Sequence, residues 1–150
     1  MNTPSLPDGL VSGNRHLYAV RVYYEDTDLS GIVYHANYLR WFERARSDLL
    51  RILRIDQRSA IEEGEGAYAV SEMEIKYLRP AKLDDDVTIE TSCLQANAAS
   101  CRMYQRALRG PEVLCEARLR IGFIKPDGRP RRQPLGWRET FNQFMEDRLT

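Results

Sequence analysis

The sequence predicts an α+β fold in which a five-stranded antiparallel sheet curls around one long helix. Five segments alternate apolar and polar residues, as half-buried strands do. One segment, residues 37–53, instead repeats apolar residues mostly every three or four positions, as an amphipathic helix does. The connections after this helix are mostly short turns, which join antiparallel neighbours.

The first predicted strand covers residues 16–24, and within it His16 is interpreted as an ordinary strand residue. The long helix follows a polar loop, and Asn37 is the expected N-cap. A helix that extends to Leu53 is about 25 Å long at about 1.5 Å per residue. That length is enough to cross five strands spaced about 4.8 Å apart.

A short second helix and four further strands complete the predicted fold. Ser59 and Glu62 have the spacing of a capping box, which predicts that the second helix starts at Ser59. The remaining strands are predicted over residues 67–78, 87–93, 101–108 and 113–123. One helix covers only one face of such a sheet, so the uncovered face and edge predict a dimer.

Length and local composition predict one folded domain with two extensions. The 150 residues divide into a flexible N-terminal arm (1–14), the domain itself (15–128) and an irregular or weakly helical C-terminal tail (129–150). The N-terminus lacks the basic start and apolar run of a signal peptide. No apolar run approaches the roughly 20 residues of a membrane span. We therefore expect a cytoplasmic protein without membrane insertion.

The charge balance bears on nucleic-acid binding, and the cysteine spacing bears on metal and redox sites. Basic and acidic residues number 22 each, which gives no electrostatic argument for binding nucleic acid. The three cysteines match no zinc or redox spacing and are predicted to be free thiols.

The loop at residues 25–35 concentrates the candidate chemistry. Asp28 lies a few residues before the helix N-terminus, where N–H groups without internal partners carry a partial positive charge. Such groups can stabilise an oxyanion that forms on a carbonyl carbon. A nearby carboxylate can activate water as a general base or attack the carbonyl directly. This arrangement suits an activated acyl compound such as a thioester, because a thiol leaves without strong acid assistance.

Structural roles for the same loop remain open, since acidic residues before a helix commonly form caps and turns. Asp26 and Thr27 are interpreted as structural, because their side chains can bond nearby backbone. Asp28 and His35 together provide too few ligands for a metal. Ser30 lies in no nucleophile-elbow context. No metal site and no cofactor is predicted.

Three sequence motifs can be recognised, two within the loop and the long helix and one further along the chain. Residues 24–38 fit Y-x-D-T-D-x-x-G-x-V-Y-H-x-N-Y, residues 42–46 fit F-E-x-A-R, and residues 77–85 fit Y-L-R-P-A-x-L-D-D. These motifs resemble the signature of hotdog-fold acyl-CoA thioesterases. The most similar group is the 4-hydroxybenzoyl-CoA thioesterase family, in particular its Tol-Pal-associated bacterial branch. The resemblance covers residues 15–128.

The resemblance implies a hotdog fold, in which the five-stranded sheet wraps around the central helix. It also implies homodimers that assemble into homotetramers, with active sites at the dimer interface. The implied substrate is an acyl-CoA or acyl-carrier-protein thioester. Asp28 matches the family's catalytic carboxylate, and the oxyanion-binding N–H lies at or next to His35. The His35 ring would orient water or donate a proton.

The resemblance further implies residues that bind the substrate. Tyr34 and Tyr77 would shape the acyl pocket. Surface arginines would hold the nucleotide part of coenzyme A, and the candidates are Arg79, Arg102, Arg131 and Arg132. The tail after residue 128 has no firm match to the family.

Two other functions are alternatives to thioester hydrolysis. A hotdog dehydratase would pair a histidine with a carboxylate of the partner subunit, but the D-T-D loop does not resemble that arrangement. A non-catalytic protein would bind acyl-CoA or act as a scaffold linked to the cell-envelope Tol-Pal system.

Overall fold

The computed structural model describes residues 2–146, which form one antiparallel sheet and three α-helices. The strands are β1 (Leu10–Ser12), β2 (Arg15–Arg21), β3 (Ala67–Tyr77), β4 (Asp86–Ala96), β5 (Ser100–Arg109) and β6 (Glu112–Ile124). The helices are α1 (Asn37–Ile52), α2 (Gln57–Glu62) and α3 (Trp137–Glu146). The strand order is β1-β2-β4-β5-β6-β3, so β1 and β3 are the two edges.

Helix α1 packs its apolar face against the sheet, and the predicted α+β architecture is confirmed. The buried residues of this face recur at helical spacing; they are Tyr38, Trp41, Phe42, Ala45, Leu49 and Leu50. The sheet has six strands where five were predicted. The additional strand is β1, which lies within the arm predicted to be flexible and pairs with β2.

A buried polar network joins α1 to the sheet. The Arg46 guanidinium donates a hydrogen bond of 2.9 Å to Gln105 Oε1. The amide of Gln105 donates bonds of 3.0 Å to Phe42 O in α1 and to Thr91 Oγ1 in β4. Burial lowers the pKa of Arg46. Buried polar groups need partners, so this network fixes where α1 lies along the strands.

His16 lies in β2, as predicted, and its side chain also forms a buried pair with α1. Its ring is fully buried, and Nε2 lies 2.6 Å from Asp48 Oδ2 in α1. The N–H of Gly9 in the arm donates to the same oxygen at 3.0 Å. The pair forms because β2 faces α1, and a charged or polar group buried there requires a partner.

The segment predicted as a C-terminal tail contains α3, and residues 147–150 of that prediction lie outside the described residues. Phe141 and Phe144 of this helix are buried in a cluster with Leu49 and Met103. Before the helix, the side-chain amide of Gln133 donates a 2.8 Å hydrogen bond to Asn97 O. The segment therefore closes one end of the core.

The predicted start of the long helix at residue 37 is confirmed, whereas its N-cap and the start of the second helix differ from the prediction. Ala36 is the N-cap of α1, and Asn37 is its first helical residue. Helix α2 begins at Gln57, because Asp56 is its N-cap and accepts a 3.0 Å bond from the Ser59 N–H. Asp56 supplies the capping oxygen before Ser59 can do so.

All three cysteines are free thiols, and Cys101 and Cys115 are buried. Within residues 2–146, none of the helices combines the length and apolar character required to cross a bilayer.

The packing of α3 is tested by Phe141→Ala. We expect a loss of about 3–5 kcal/mol in the free energy of unfolding, because the substitution leaves a cavity in the core. Gln143→Ala, at an exposed position of the same helix, should change it by no more than about 0.5 kcal/mol. Urea unfolding measures both, and equal effects of the two substitutions would show that α3 does not stabilise the core.

Candidate active site

The loop before α1 is a tight hairpin closed by its own backbone. The N–H of Asp28 donates to Ile32 O at 2.9 Å, and the N–H of Gly31 donates to Asp28 O at 3.1 Å. Thr27 and Val33 form an antiparallel bridge below this turn. Gly31 has a φ of 83°, in the left-handed region that favours glycine.

Asp26 links this loop to the start of α1. Its Oδ2 accepts a 2.8 Å bond from the Tyr23 N–H, and its Oδ1 accepts a 2.9 Å bond from the Asn37 side chain. The carbonyl of Asp26 accepts a 2.9 Å bond from the Tyr34 N–H. The Thr27 hydroxyl donates to the carbonyl three residues earlier at 2.8 Å. Both residues bond nearby backbone, which agrees with a structural role.

Asp28 lies two residues further along, and its carboxylate is exposed. Its Oδ1 accepts hydrogen bonds from the hydroxyl of Ser30, at 2.5 Å, and from the Ser30 N–H, at 2.8 Å. These bonds lower the pKa of Asp28, with the hydroxyl as the largest cause. The group is therefore ionised at neutral pH, and its second oxygen takes part in neither bond.

The N-terminus of α1 follows the loop directly. The N–H of Asn37 is occupied by a 2.9 Å bond to Tyr34 O. Among the backbone bonds of residues 2–146, the N–H groups of His35 and Ala36 have no acceptor. Free N–H groups at a helix start form an electropositive site that suits an oxyanion.

Tyr77, at the end of β3, closes over this helix start. Its hydroxyl donates a 2.9 Å hydrogen bond to His35 O, and partial burial raises the pKa of Tyr77, so that it stays protonated. The rings of Tyr34 and His35 are 4.5 Å apart, and those of His35 and Tyr77 are 6.0 Å apart. The structure thus brings three predicted site residues together at the end of the loop that carries Asp28.

The four arginines predicted to bind coenzyme A do not converge at one place in this chain. Arg79 lies two residues after Tyr77 and pairs with Glu112 at 2.5 Å. Arg131 donates to the carbonyl of Glu65, before the other end of β3, at 2.7 Å. The eleven residues of β3 separate these two positions by about 35 Å. Arg79 alone lies at the same end of β3 as Tyr77.

The other two arginines occupy separate surfaces. Arg102 in β5 pairs with Glu72 of β3 at 2.9 Å, near the middle of the sheet. Arg132 is exposed in the segment that precedes α3. No group of three or more His, Cys, Asp or Glu side chains within residues 2–146 is arranged to hold a metal ion.

Sequence reasoning missed the segment that supports the hairpin, residues 78–85, which we call the Pro80 loop. Ala81 O accepts a 2.9 Å bond from the Val33 N–H, and Lys82 forms a bridge with Ile32. The N–H of Ala81 donates to the Tyr38 hydroxyl at 3.3 Å. The available signal was the Y-L-R-P-A-x-L-D-D motif, which covers this segment but does not indicate what it contacts.

Comparison with known proteins places the chain in a family. The profile of the Thioesterase superfamily matches residues 30–116, beginning two residues after Asp28. Acyl-CoA thioesterase YbgC of Haemophilus influenzae is 40% identical over 111 residues, covering 74% of this chain and 82% of that protein. Acyl-CoA thioester hydrolase YbgC of Escherichia coli O157:H7 is 37% identical over 110 residues, covering 73% and 81%.

Solved structures give the same result. A probable thioesterase from Bartonella henselae is 40% identical, has a TM-score of 0.76, and is matched over 80% of this chain and 99% of that one. A 1,4-dihydroxy-2-naphthoyl-CoA thioesterase from Synechocystis is 21% identical with a TM-score of 0.79, matched over 85% and 96%. The second likeness concerns the fold alone.

A curled antiparallel sheet around one long helix, with a polar hairpin at the helix start, defines a hotdog-fold protein. Within that class, the chain belongs to the thioesterase superfamily.

The structural role of Asp26 is tested by Asp26→Ala. We expect the free energy of unfolding to fall by about 1–3 kcal/mol, because the N–H of Tyr23 and the side chain of Asn37 lose a charged acceptor. Glu25→Ala, at the adjacent exposed position, is the control and should change it by no more than about 0.5 kcal/mol. Denaturant unfolding measures both free energies, and an Asp26→Ala variant as stable as the wild type would contradict the structural role of Asp26.

Proposed function

We propose that this chain hydrolyses acyl-CoA thioesters to a free acid and coenzyme A, with Asp28 as the catalytic carboxylate. The observation that carries the proposal is an ionised, exposed carboxylate on a hydrogen-bonded hairpin that leads directly into the N-terminus of α1. The named activity of the YbgC relatives, which share up to 40% identity with the chain, supports the same reaction.

Two routes are compatible with this geometry. As a general base, Asp28 takes a proton from water while the water oxygen bonds to the carbonyl carbon. As a nucleophile, its free oxygen bonds to that carbon and forms an acyl anhydride, which water then hydrolyses. In both routes the C–S bond breaks, and its electron pair leaves on sulfur as a thiolate that is then protonated.

The helix start would stabilise the oxyanion that both routes form. The candidate donors are the backbone N–H groups of His35 and Ala36. A peptide group is planar, so the bond from the Tyr77 hydroxyl to His35 O also fixes the direction of the Ala36 N–H. The His35 ring is exposed and would orient water or protonate the departing thiolate. Tyr34 and Tyr77 would line the acyl pocket.

The proposal extends to assembly and to coenzyme A binding. Strand β3 is an edge strand of eleven residues, which offers unpaired backbone groups to a second subunit. We propose a homodimer, assembling further to a homotetramer, in which Arg102, Arg131 and Arg132 approach the site of a neighbouring subunit. Within one subunit, Arg79 is the proposed substrate-binding arginine, because it lies at the same end of β3 as Tyr77.

Several finer points stay predictions. They are the use of acyl carrier protein in place of coenzyme A, the cytoplasmic location, and the scaffold role linked to Tol-Pal.

The role of Asp28 is tested by Asp28→Asn. We expect kcat to fall by about 10²–10⁴-fold, as on removal of a general acid–base group. The melting temperature should be unchanged, because the asparagine oxygen can still accept from Ser30. Thiol release from short, long and aromatic acyl-CoAs measures the activity.

Asp127→Asn is a matched control, since Asp127 Oδ1 accepts from the N–H two residues later, at 3.0 Å, as Asp28 does. It should leave kcat unchanged. Full activity of Asp28→Asn would disprove the assignment, and no thiol release by the wild type would disprove the function.

The pH dependence of the reaction is tested by Ser30→Ala. Catalysis needs the carboxylate, so activity is lost as the pH falls through the pKa of Asp28. The Ser30 hydroxyl lowers that pKa and thereby extends activity to lower pH. Its removal should raise the pKa and move the acidic limb of the kcat/KM profile to higher pH.

Ser71→Ala is the control, because the Ser71 hydroxyl is exposed and bonds Arg120 O, outside the loop. Its acidic limb should match the wild type. A Ser30→Ala limb that stays in place or moves to lower pH would show that Asp28 does not govern it.

A further inference from the structure

The hairpin that carries Asp28 does not stand alone. Its returning strand pairs with the Pro80 loop through Val33 N–H to Ala81 O at 2.9 Å and through the bridge between Ile32 and Lys82. The position of the Pro80 loop is therefore transmitted to the hairpin by backbone bonds, which tolerate little displacement.

Arg109, the last residue of β5, forms hydrogen bonds with two residues of the Pro80 loop, Pro80 and Asp85. Its Nη1 donates to Pro80 O at 3.2 Å and to Asp85 Oδ2 at 2.7 Å. Its Nε and Nη2 donate to Glu112 Oε1 at 3.0 and 2.6 Å. The other oxygen of Glu112 pairs with Arg79 at 2.5 Å. The planar fork of a guanidinium presents five donors in fixed directions, whereas an ammonium group is a compact charge on a flexible stem.

This cluster differs from an ordinary surface ion pair. The side chains of Arg109, Asp85 and Glu112 are 33%, 25% and 28% exposed. The two hydrogen bonds from Arg109 are the largest cause that lowers the pKa of Glu112. Isolated exposed pairs contribute about 0–1 kcal/mol, whereas networks with low exposure and several bonds per group hold their geometry better.

We propose that Arg109 is a positioning residue for thioester hydrolysis, which holds Asp28 in register with the helix start by fixing the Pro80 loop. The inference rests on the proposed function of Asp28. Its physical basis is that a displacement of about 1 Å in a reacting group can cost about 10²-fold in rate. Arg109 itself need not touch the substrate.

The test compares Arg109→Gln and Arg109→Lys with Arg106→Gln. Arg106 lies on the same strand and pairs with Glu90 at 2.8 Å, an ion pair that includes no residue of the Pro80 loop. Thiol release gives kcat and KM. Hydrogen–deuterium exchange over residues 28–38 reports the protection of the Val33 N–H independently of activity.

We expect Arg109→Gln to lower kcat by about tenfold, equivalent to about 1.4 kcal/mol, with little change in KM. Exchange over residues 28–38 should become faster. Arg109→Lys should be intermediate, because its charge remains but its fork is lost. Arg106→Gln should match the wild type in kcat and in the exchange of this segment.

Equal kcat and equal exchange for Arg109→Gln and Arg106→Gln would overturn the inference. If Arg109→Gln fails to fold, Asp85→Asn removes one arm of the same contact and must give the same pattern in weaker form. Failure of the proposed function can be told apart from failure of this inference. If the wild type releases no thiol, the exchange rates of Arg109→Gln and Arg106→Gln can still be compared. An active wild type with an inactive Asp28→Asn and a normal Arg109→Gln would defeat this inference alone.

Discussion

Helix α1 buries one face against the sheet, and this contact sets the place where the chain presents a helix N-terminus. Large side chains such as Trp41, Phe42 and Leu49 each contribute about 1.5–3 kcal/mol by leaving water. Apolar burial alone has little direction, however, and would permit the helix to slide. The bonds of Gln105 to Arg46 and to the Phe42 carbonyl remove that freedom, because any shift would leave buried polar groups without partners.

Asp26 and Asp28, two aspartates of the loop before α1, use their carboxylates in different ways. Asp26 directs both carboxylate oxygens to the Tyr23 N–H and to Asn37, and so fixes the loop to the helix. Asp28 uses one oxygen to shape its own turn with Ser30 and leaves the other toward solvent. The difference arises from position, because Asp26 lies within reach of Asn37 in α1 whereas Asp28 lies at the turn.

The sequence predicted the elements with strong periodicity and a specific motif, and it predicted less where partners are distant. The long helix and the strands followed from spacing, and the motif singled out Asp28 and His35. The pairing of His16 with Asp48 could not be predicted, because alternation shows that a residue faces inward but not what it meets 32 positions away. Helix α3 carried a weak signal, since Phe141 and Phe144 have helical spacing. The scattering of the arginines depends on strand order, which no local pattern contains.

Gly9 lies beside the buried pair of His16 and Asp48, and this contact limits which residues position 9 can tolerate. A Cβ at this position would lie 2.5 Å from Asp48 Oδ2 and 2.6 Å from Leu17 O, closer than side-chain carbons approach such atoms. The arm around it has the composition of a linker, in which most substitutions are harmless. Position 9 is thus an intolerant site inside a permissive segment, and its restriction comes from a contact made 39 residues away along the chain.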